Sequence, residues 1–514
     1  MNRTKNATRN LIFGFINKII VLLFPFIIRS VMIKTLGSEY LGLNSLFVSI
    51  LQVLNLAELG FNSAIVYSMY RPIAEKDAKT ICALMNLYKK IYRIIGIIVI
   101  TIGLILLPFL KILIHGTYPS EINIYIIYLI YLFNTGITYF LFAYKSALIV
   151  AHQRSDVISN VQSITYILQY GMQLYVLLKM KNYYLFTIVQ IFTTILNNIV
   201  IAVLTNRKYP QYECNGLIDE NLKKDIRKKV FGLFINKICQ TTRNSLDSIC
   251  ISAFLGLNIV AMYNNYYSVI HAIIGMMGII TTSITAGVGN SIVTEKIEKN
   301  YDDMNKFNFI FMWLSGVCTI CLACLFQPFM KMWMGNEYLF SYDVVILICA
   351  YFYALEMGVI RAIYSDAKGL WYENRYRAIA ESITNVLLNI ILSRYFGIYG
   401  IILGTLISLL VINFGYGSQI LFKHYFVDQK ISDYYKKHGT YACVTIGICL
   451  ITFYLCSFIK IEGFFEIVIK LLVCLIVPNV LYFLVYFKRK IFKESLELIH
   501  KIPVLNKLTG IFFK

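Results

Sequence analysis

Nine ionisable side chains inside long apolar runs of this chain are the candidates for chemistry: Lys18, Arg29, Glu58, Lys237, Arg243, Asp247, Glu356, Arg361 and Asp366. Such a residue costs about 2.5–3.5 kcal/mol near the centre of a membrane-crossing helix, so it faces a protein interior or a wetted cavity. The residue types divide into two chemistries. A guanidinium keeps its charge and offers phosphate oxygens a planar fork. That makes Arg29, Arg243 and Arg361 candidates for holding an anion, with Lys18 and Lys237 adding positive charge. The carboxylates Glu58, Asp247 and Glu356 can serve as coupling sites for H+ or Na+, or as counter-ions. Two bland readings stand beside these. Arg243 and Asp247 are four residues apart on one helix face, where an intrahelical pair would neutralise both, and Arg29 lies near the end of its run, where it can snorkel to the interface.

The stretch "CTICLAC" at Cys318–Cys324 spells two overlapping C-x-x-C units, a spacing associated with metal or redox chemistry. It lies inside an apolar run, however, where free cysteine behaves as a small hydrophobe. The other cysteines are scattered along the chain, so the sequence leads us to expect no disulfide, no metal and no cofactor. No G-x-x-x-x-G-K-[ST] phosphate loop occurs, which argues against ATP hydrolysis by this chain.

The elements that must position these charges are membrane helices. The 514 residues are 58% hydrophobic and 15% charged, with a mean hydropathy of +0.66. Apolar stretches of about 20 residues, each able to cross a hydrocarbon core of about 30 Å, recur from end to end. We expect fourteen spans: 11–33, 41–66, 91–110, 122–144, 157–178, 183–204, 229–254, 259–284, 308–330, 342–367, 376–396, 398–420, 440–460 and 464–487. A β-barrel would need short alternating segments, and "RIIGIIVITIGLILLPFL" does not alternate.

Basic residues give the orientation, because cytoplasmic loops carry the excess of Lys and Arg. With the N-terminus inside, 35 of the 48 basic residues fall on the cytoplasmic side and 7 outside. Both termini are therefore expected in the cytoplasm, and the net charge of +21 is this topological bias rather than a nucleic-acid signal. The first apolar run, from Leu11, has no A-x-A-like cleavage site and reads as a span, not a leader.

The sequence also repeats. "FINKI" occurs at Phe15–Ile19 and at Phe234–Ile238, an offset of 219 residues. The same offset places Leu36–Gly37 on Leu255–Gly256, Ala143 and Ser146 on Ala362 and Ser365, and "SIT" at Ser163–Thr165 on "SIT" at Ser382–Thr384. Six expected helices separate each pair, which predicts two parallel six-helix lobes related by an axis along the membrane normal. On this reading 1–204 is an N-lobe, 205–228 a cytoplasmic linker forming an amphipathic surface helix, and 229–424 a C-lobe. Two extra helices follow at 425–487, then a basic interfacial tail at 488–514.

The segments "TRNLIFGFINKII", "TLGSEYLGLNSLF", "LAELGFNSAIVYSMYRPIAEKD", "LKKDIRKKVFGLFINKI" and "AKGLWYENRYRAIAESITNVLLNIILSRYFGIYGIILGTLIS", in this order and spacing, resemble the Wzx-type oligosaccharide flippases. Those belong to a superfamily that includes the multidrug (MATE) exporters and the lipid II flippase. The resemblance implies translocation of polyprenyl-diphosphate-linked oligosaccharide repeat units from the inner to the outer leaflet of a bacterial cell membrane. It implies alternating access of two lobes about a central cavity in which Arg243, Arg361 and Arg29 bind the diphosphate. Expected partners are that lipid-linked oligosaccharide, membrane lipid, H+ or Na+, and polysaccharide polymerase or other assembly proteins.

Rival readings remain. A membrane glycosyltransferase or polymerase needs a sizeable outer loop bearing catalytic residues, and the expected outer loops are short, so an enzyme is not expected. A MATE-type cation-coupled multidrug exporter shares the two-lobe plan, and Glu58, Asp247 and Glu356 would suit cationic drugs. A lipid II flippase is the other alternative, with fourteen helices and a substrate that differs mainly in its sugars. A fourteen-helix facilitator of other ancestry would carry Gly and an Asp-Arg pairing where "RPIAEKDAK" stands.

Overall fold

The computed structural model describes residues 3–55, 61–114, 118–152, 154–220, 223–224, 245–459 and 461–500. Among the described residues every regular element is helical. The helices are α1 (Arg3–Thr35), α2 (Ser38–Leu54), α3 (Phe61–Glu75), α4 (Ala78–Leu106), α5 (Ile124–Phe140), α6 (Ser146–Ala151), α7 (Ser155–Tyr175) and α8 (Tyr183–Lys208). Next comes α9 (Ser245–Leu255). After it come α10 (Leu257–Thr294), α11 (Ile297–Met334), α12 (Tyr342–Met357), α13 (Val359–Lys368), α14 (Arg375–Phe396), α15 (Ile398–Ile407), α16 (Gly417–His424), α17 (Ile431–Ser457), α18 (Phe464–Tyr486) and α19 (Lys490–His500). Eight described helical stretches are long and apolar enough to cross a membrane, nine if the pair bent by 48° around Phe140 and Ala143 is one span. Each of the fourteen expected spans overlaps a described helix.

The 219-residue offset is visible in the helix ends. Ser38, Glu75 and Ala78, which bound α2, α3 and α4, fall on Leu257, Thr294 and Ile297, which bound α10 and α11. The joint before each copy is made the same way. Gly37 and Gly256 have φ of +111° and +91°, a region that a residue with a Cβ enters only with strain. Their N–H groups reach back five residues, to the carbonyls of Met32 and Ile251 at 3.2 and 3.1 Å. Each glycine thus ends one helix and starts the next.

By packing, the chain divides into a first unit, Met1–Asn264, and a second, Asn265–Lys514. In the first, an apolar core gathers Met32, Leu43, Phe47, Ile127, Tyr128 and Leu177. Asn17, inside the first "FINKI", donates to Ser163 Oγ at 3.2 Å, inside the first "SIT", so the repeated motifs of that copy meet where α1 packs on α7. The backbone of α2 approaches α10 so closely that a Cβ on Gly42 would lie 2.8 Å from the Leu257 carbonyl carbon.

Only the first part of the linker departs from a helix: Glu220, Lys223 and Lys224 are helical, and the rest of 221–228, where the basic stretch of the expected surface helix stands, lies outside the described residues. After α8 ends at Lys208, residues 209–219 run without helix. Asn86 donates to the Gly216 carbonyl at 2.8 Å, the His152 ring lies against Tyr209 at 4.2 Å, and Tyr212, Cys214 and Ile218 pack on the core beneath. Pro210, which lacks an N–H, and Gly216 at φ +83° favour a strap over a helix.

In the second unit α17 and α18 pack on α11. Trp313 Nε1 donates to Asn479 Oδ1 at 2.9 Å, and the Thr445 and Tyr482 hydroxyls share a 2.6 Å hydrogen bond. Phe309, Ile320, Ile448 and Cys474 lie in the core between the three helices. Helix α19 continues that packing, with Phe492 stacked on Trp313.

Candidate functional site

The break between α12 and α13 at Gly358 carries the most developed charged arrangement among the described residues. Arg361, in the first turn of α13, is only 3% exposed. Its Nη2 donates to Asn413 Oδ1 at 3.0 Å. Asn413 in turn donates to Glu381 Oε2 at 2.8 Å, and Arg377 Nη1 meets the same carboxylate oxygen at 2.6 Å. Arg377 Nε also donates to Asn374 Oδ1 at 3.1 Å, which ties the network to the start of α14. Two guanidinium groups are thus held around one carboxylate, leaving a net positive charge of one in a buried setting.

Local backbone explains why these groups converge. Residues Ser408–Tyr416, between α15 and α16, form a π-helix, the wider coil that recurs at functional sites. It carries Asn413. Gly417 follows, and a Cβ there would lie 2.8 Å from Arg361 Cζ and 3.0 Å from Arg377 Cδ. Only glycine lets the backbone come this near both side chains. Arg361 Nε is buried and has no hydrogen-bond partner, and an unpaired donor on a buried charged group is expensive. The cluster can therefore bind a further acceptor without first breaking its own bonds at that atom.

The other expected site residues are distributed as follows. Glu58, Lys237 and Arg243 lie outside the described residues, so the expected Arg243–Asp247 pair falls there too. Asp247 is buried on α9 and accepts a hydrogen bond from the Tyr263 hydroxyl at 3.1 Å. Glu356 is buried in the last turn of α12, on the other side of the Gly358 break from Arg361. Lys18 is exposed on α1 and Arg29 half-buried on the same helix. Asp366, at the far end of α13, is exposed and accepts from Trp371 Nε1 at 3.1 Å.

Sequence reasoning found Arg361 but missed Arg377, Glu381 and Asn413. The Arg377–Glu381 spacing of four within an apolar helix was an available signal. Asn413 gave none, because its role depends on the π-helix. The "CTICLAC" run also behaves less simply than expected: Cys324 meets Cys456 of α17 and Cys474 of α18, with all three sulfurs within 4.8 Å of one another.

A family model described as polysaccharide biosynthesis protein matches residues 7–284, more than half of the chain. No curated protein matches the sequence. Among solved structures, the lipid II flippase MurJ in an inward closed conformation is similar over 92% of this chain and 98% of its own, with a TM-score of 0.63 and 16% identity. An inward-facing multidrug resistance MATE family transporter of the MOP superfamily is similar over 77% of this chain and 93% of its own, with a TM-score of 0.59 and 14% identity. The Vibrio cholerae MATE transporter VcmN in its bent form aligns over 82% and 97%, with a TM-score of 0.54 and 14% identity. At such identities the likeness shows the fold alone: an all-helical, MATE-like membrane architecture.

Proposed function

The chain belongs to the polysaccharide biosynthesis protein family, and from that premise we propose that it is a flippase for polyprenyl-diphosphate-linked oligosaccharide. It carries the repeat unit from the inner to the outer leaflet of a bacterial cell membrane, by alternating access of its two repeat-related halves, with both termini in the cytoplasm. The observation that carries this reading is the buried surplus guanidinium at Arg361. A diphosphate supplies several anionic oxygens, and the planar fork of Arg361 is the group that takes them in pairs. The family and the fold both point to moving a substrate rather than transforming one.

In this reading Arg361, Arg243 and Arg29 are the residues that bind the diphosphate, with Lys18 and Lys237 adding positive charge along the path. Glu58, Asp247 and Glu356 are the positions where H+ or Na+ coupling would act, or where the arginines find their counter-ions. Polysaccharide polymerase and other assembly proteins receive the product at the outer face.

The test is the sidedness of lipid-linked oligosaccharide in cells depleted of the protein, read with a membrane-impermeant sugar-modifying enzyme. Wild type restores outer-leaflet exposure and Arg361→Ala does not. Unchanged sidedness on depletion, with cationic drugs accumulating in the cells instead, would replace the flippase reading with a multidrug exporter and turn attention to Glu58 and Glu356.

A further inference from the structure

Three cysteines from three helices of the second unit converge at one point: Cys324 on α11, Cys456 in the last turn of α17 and Cys474 on α18. All are buried. Cys456 Sγ and Cys474 Sγ are 4.0 Å apart, and all three sulfurs fit within 4.8 Å. An ion bonded to three sulfurs at about 2.3 Å in a plane holds them about 4.0 Å from one another. The 4.0 Å pair matches a trigonal three-sulfur site, far wider than the roughly 2.05 Å of a disulfide, and the third sulfur lies within 4.8 Å of both its members.

The backbone around the sulfurs is distinctive in a second way. Pro328 lies inside α11 and Pro478 inside α18. A proline within a helix has no N–H to give to the carbonyl four residues before it. Those two carbonyls belong to Cys324 and Cys474. The same C-x-x-x-P spacing thus occurs at two of the three cysteines, on different helices, and deprives both of their helical donor. The thiol of Cys321 lies 4.0 Å from the Cys474 carbonyl.

A cavity lies near the cluster along the same three segments. It encloses about 590 Å³ and is lined by Gln327 and Pro328 of α11, Ile459 after α17, and Glu466 and Lys470 of α18. Gln327, Pro328, Ile459 and Lys470 stand within about one helical turn of Cys324, Cys456 or Cys474 along their own segments, and Glu466 about two turns before Cys474. Lys470, four residues before Cys474, shares its helix face and bonds Glu466 at 2.7 Å, which places an ammonium near sulfurs that would bind as thiolates.

We propose that Cys324, Cys456 and Cys474 form a binding site for a soft, thiophilic d10 cation, copper(I) by class, which staples α17 and α18 to α11. Thiolates select such ions. Zinc takes a fourth donor, whereas the described cluster offers three. On binding, each sulfur that forms a bond to the ion gives up its thiol proton to solvent. No electron is transferred. The site does not depend on the flippase reading, and its test does not measure transport.

The experiment uses the full chain purified in detergent, kept reduced by a phosphine and titrated anaerobically with Cu+ against a chromogenic Cu+ chelator. Wild type is expected to withhold one Cu+ per chain. Cys324→Ala, Cys456→Ala and Cys474→Ala should each weaken retention at least tenfold, with Cys318→Ala and Cys449→Ala unchanged. X-ray absorption at the copper edge should report three sulfur neighbours. A variant-free check guards against misfolding: Cu+ should protect these three cysteines of the wild-type chain, and not Cys443, from alkylation read by peptide mass spectrometry. The proposal is overturned if wild type retains no more Cu+ than the triple alanine variant, if the absorption edge reports nitrogen or oxygen ligands, if Zn2+ binds at the cluster in preference to Cu+, or if alkylation is indifferent to the metal.

Discussion

The two copies of the repeat share a scaffold and differ in charge. Subtracting 219 from Arg361, Arg377, Glu381, Asn413 and Gly417 gives Phe142, Ile158, Gln162, Thr194 and Asn198. Every charged member of the buried network in the second copy is matched by an uncharged residue in the first. The backbone differs at the same place. The π-helix Ser408–Tyr416 corresponds to residues 189–197, which lie in the regular helix α8. Yet Gly37 and Gly256 turn the chain in the same way in both copies. The joints that fix helix direction recur in both copies, whereas the Arg361–Arg377–Glu381 network and the wider coil beside it stand in the second. Function in this protein is therefore expected to be asymmetric on a symmetric frame.

That comparison can be broken at several levels. Glu381→Ala should have the largest effect on stability, because it leaves Arg377 and the Arg361–Asn413 arm without their carboxylate. Removing one partner of a buried pair costs about 3–5 kcal/mol, whereas Gln162→Ala at the equivalent position should cost under about 1 kcal/mol. Thermal unfolding in detergent compares the two, and equal losses would dissolve the asymmetry. Arg361→Ala should reduce flipping by about tenfold or more, the equivalent of the 1.5–3 kcal/mol of a charge-assisted hydrogen bond. Arg361→Lys should recover only part of this, since an ammonium lacks the fork. Phe142→Ala should leave the rate within twofold.

Gly417→Ala sharpens the geometry. The added methyl meets Arg361 and Arg377 and should cost about 1–3 kcal/mol as overpacking, with a matching fall in transport. A neutral outcome would show that the close approach is not needed. Smallest, and deliberately symmetric, are Gly37→Ala and Gly256→Ala. Each forces a Cβ into positive φ at a cost of about 1–2 kcal/mol, and the two melting shifts should agree. A large difference between them would contradict the shared frame.

Much of the frame was legible in the sequence. Apolar runs marked the helices because a membrane leaves few other options for backbone hydrogen bonds, and the 219-residue offset survived in helix ends as well as letters. The charged site was half legible. Arg361 stood out as a cation in an apolar run, but Asn413 and Gly417 matter only through the π-helix, which no residue spacing announces. The thiol cluster was less legible still. Its members are 132 and 18 residues apart in the chain, and the conspicuous "CTICLAC" run supplies only one of the three clustered thiols. The extended strap at 209–219 could have been read from Pro210 and Gly216, which disfavour a helix just before the basic stretch.

The most direct test of the account is reconstituted transport. Purified chain in proteoliposomes would be given polyprenyl-diphosphate-linked oligosaccharide on one leaflet, and the fraction reaching the other read with an impermeant sugar-modifying enzyme. The account predicts protein-dependent equilibration for wild type and Phe142→Ala, and a rate at least about tenfold lower for Arg361→Ala. Equal rates for Arg361→Ala and wild type, in vesicles of matched protein content, would contradict the claim that the buried guanidinium of the second copy holds the substrate.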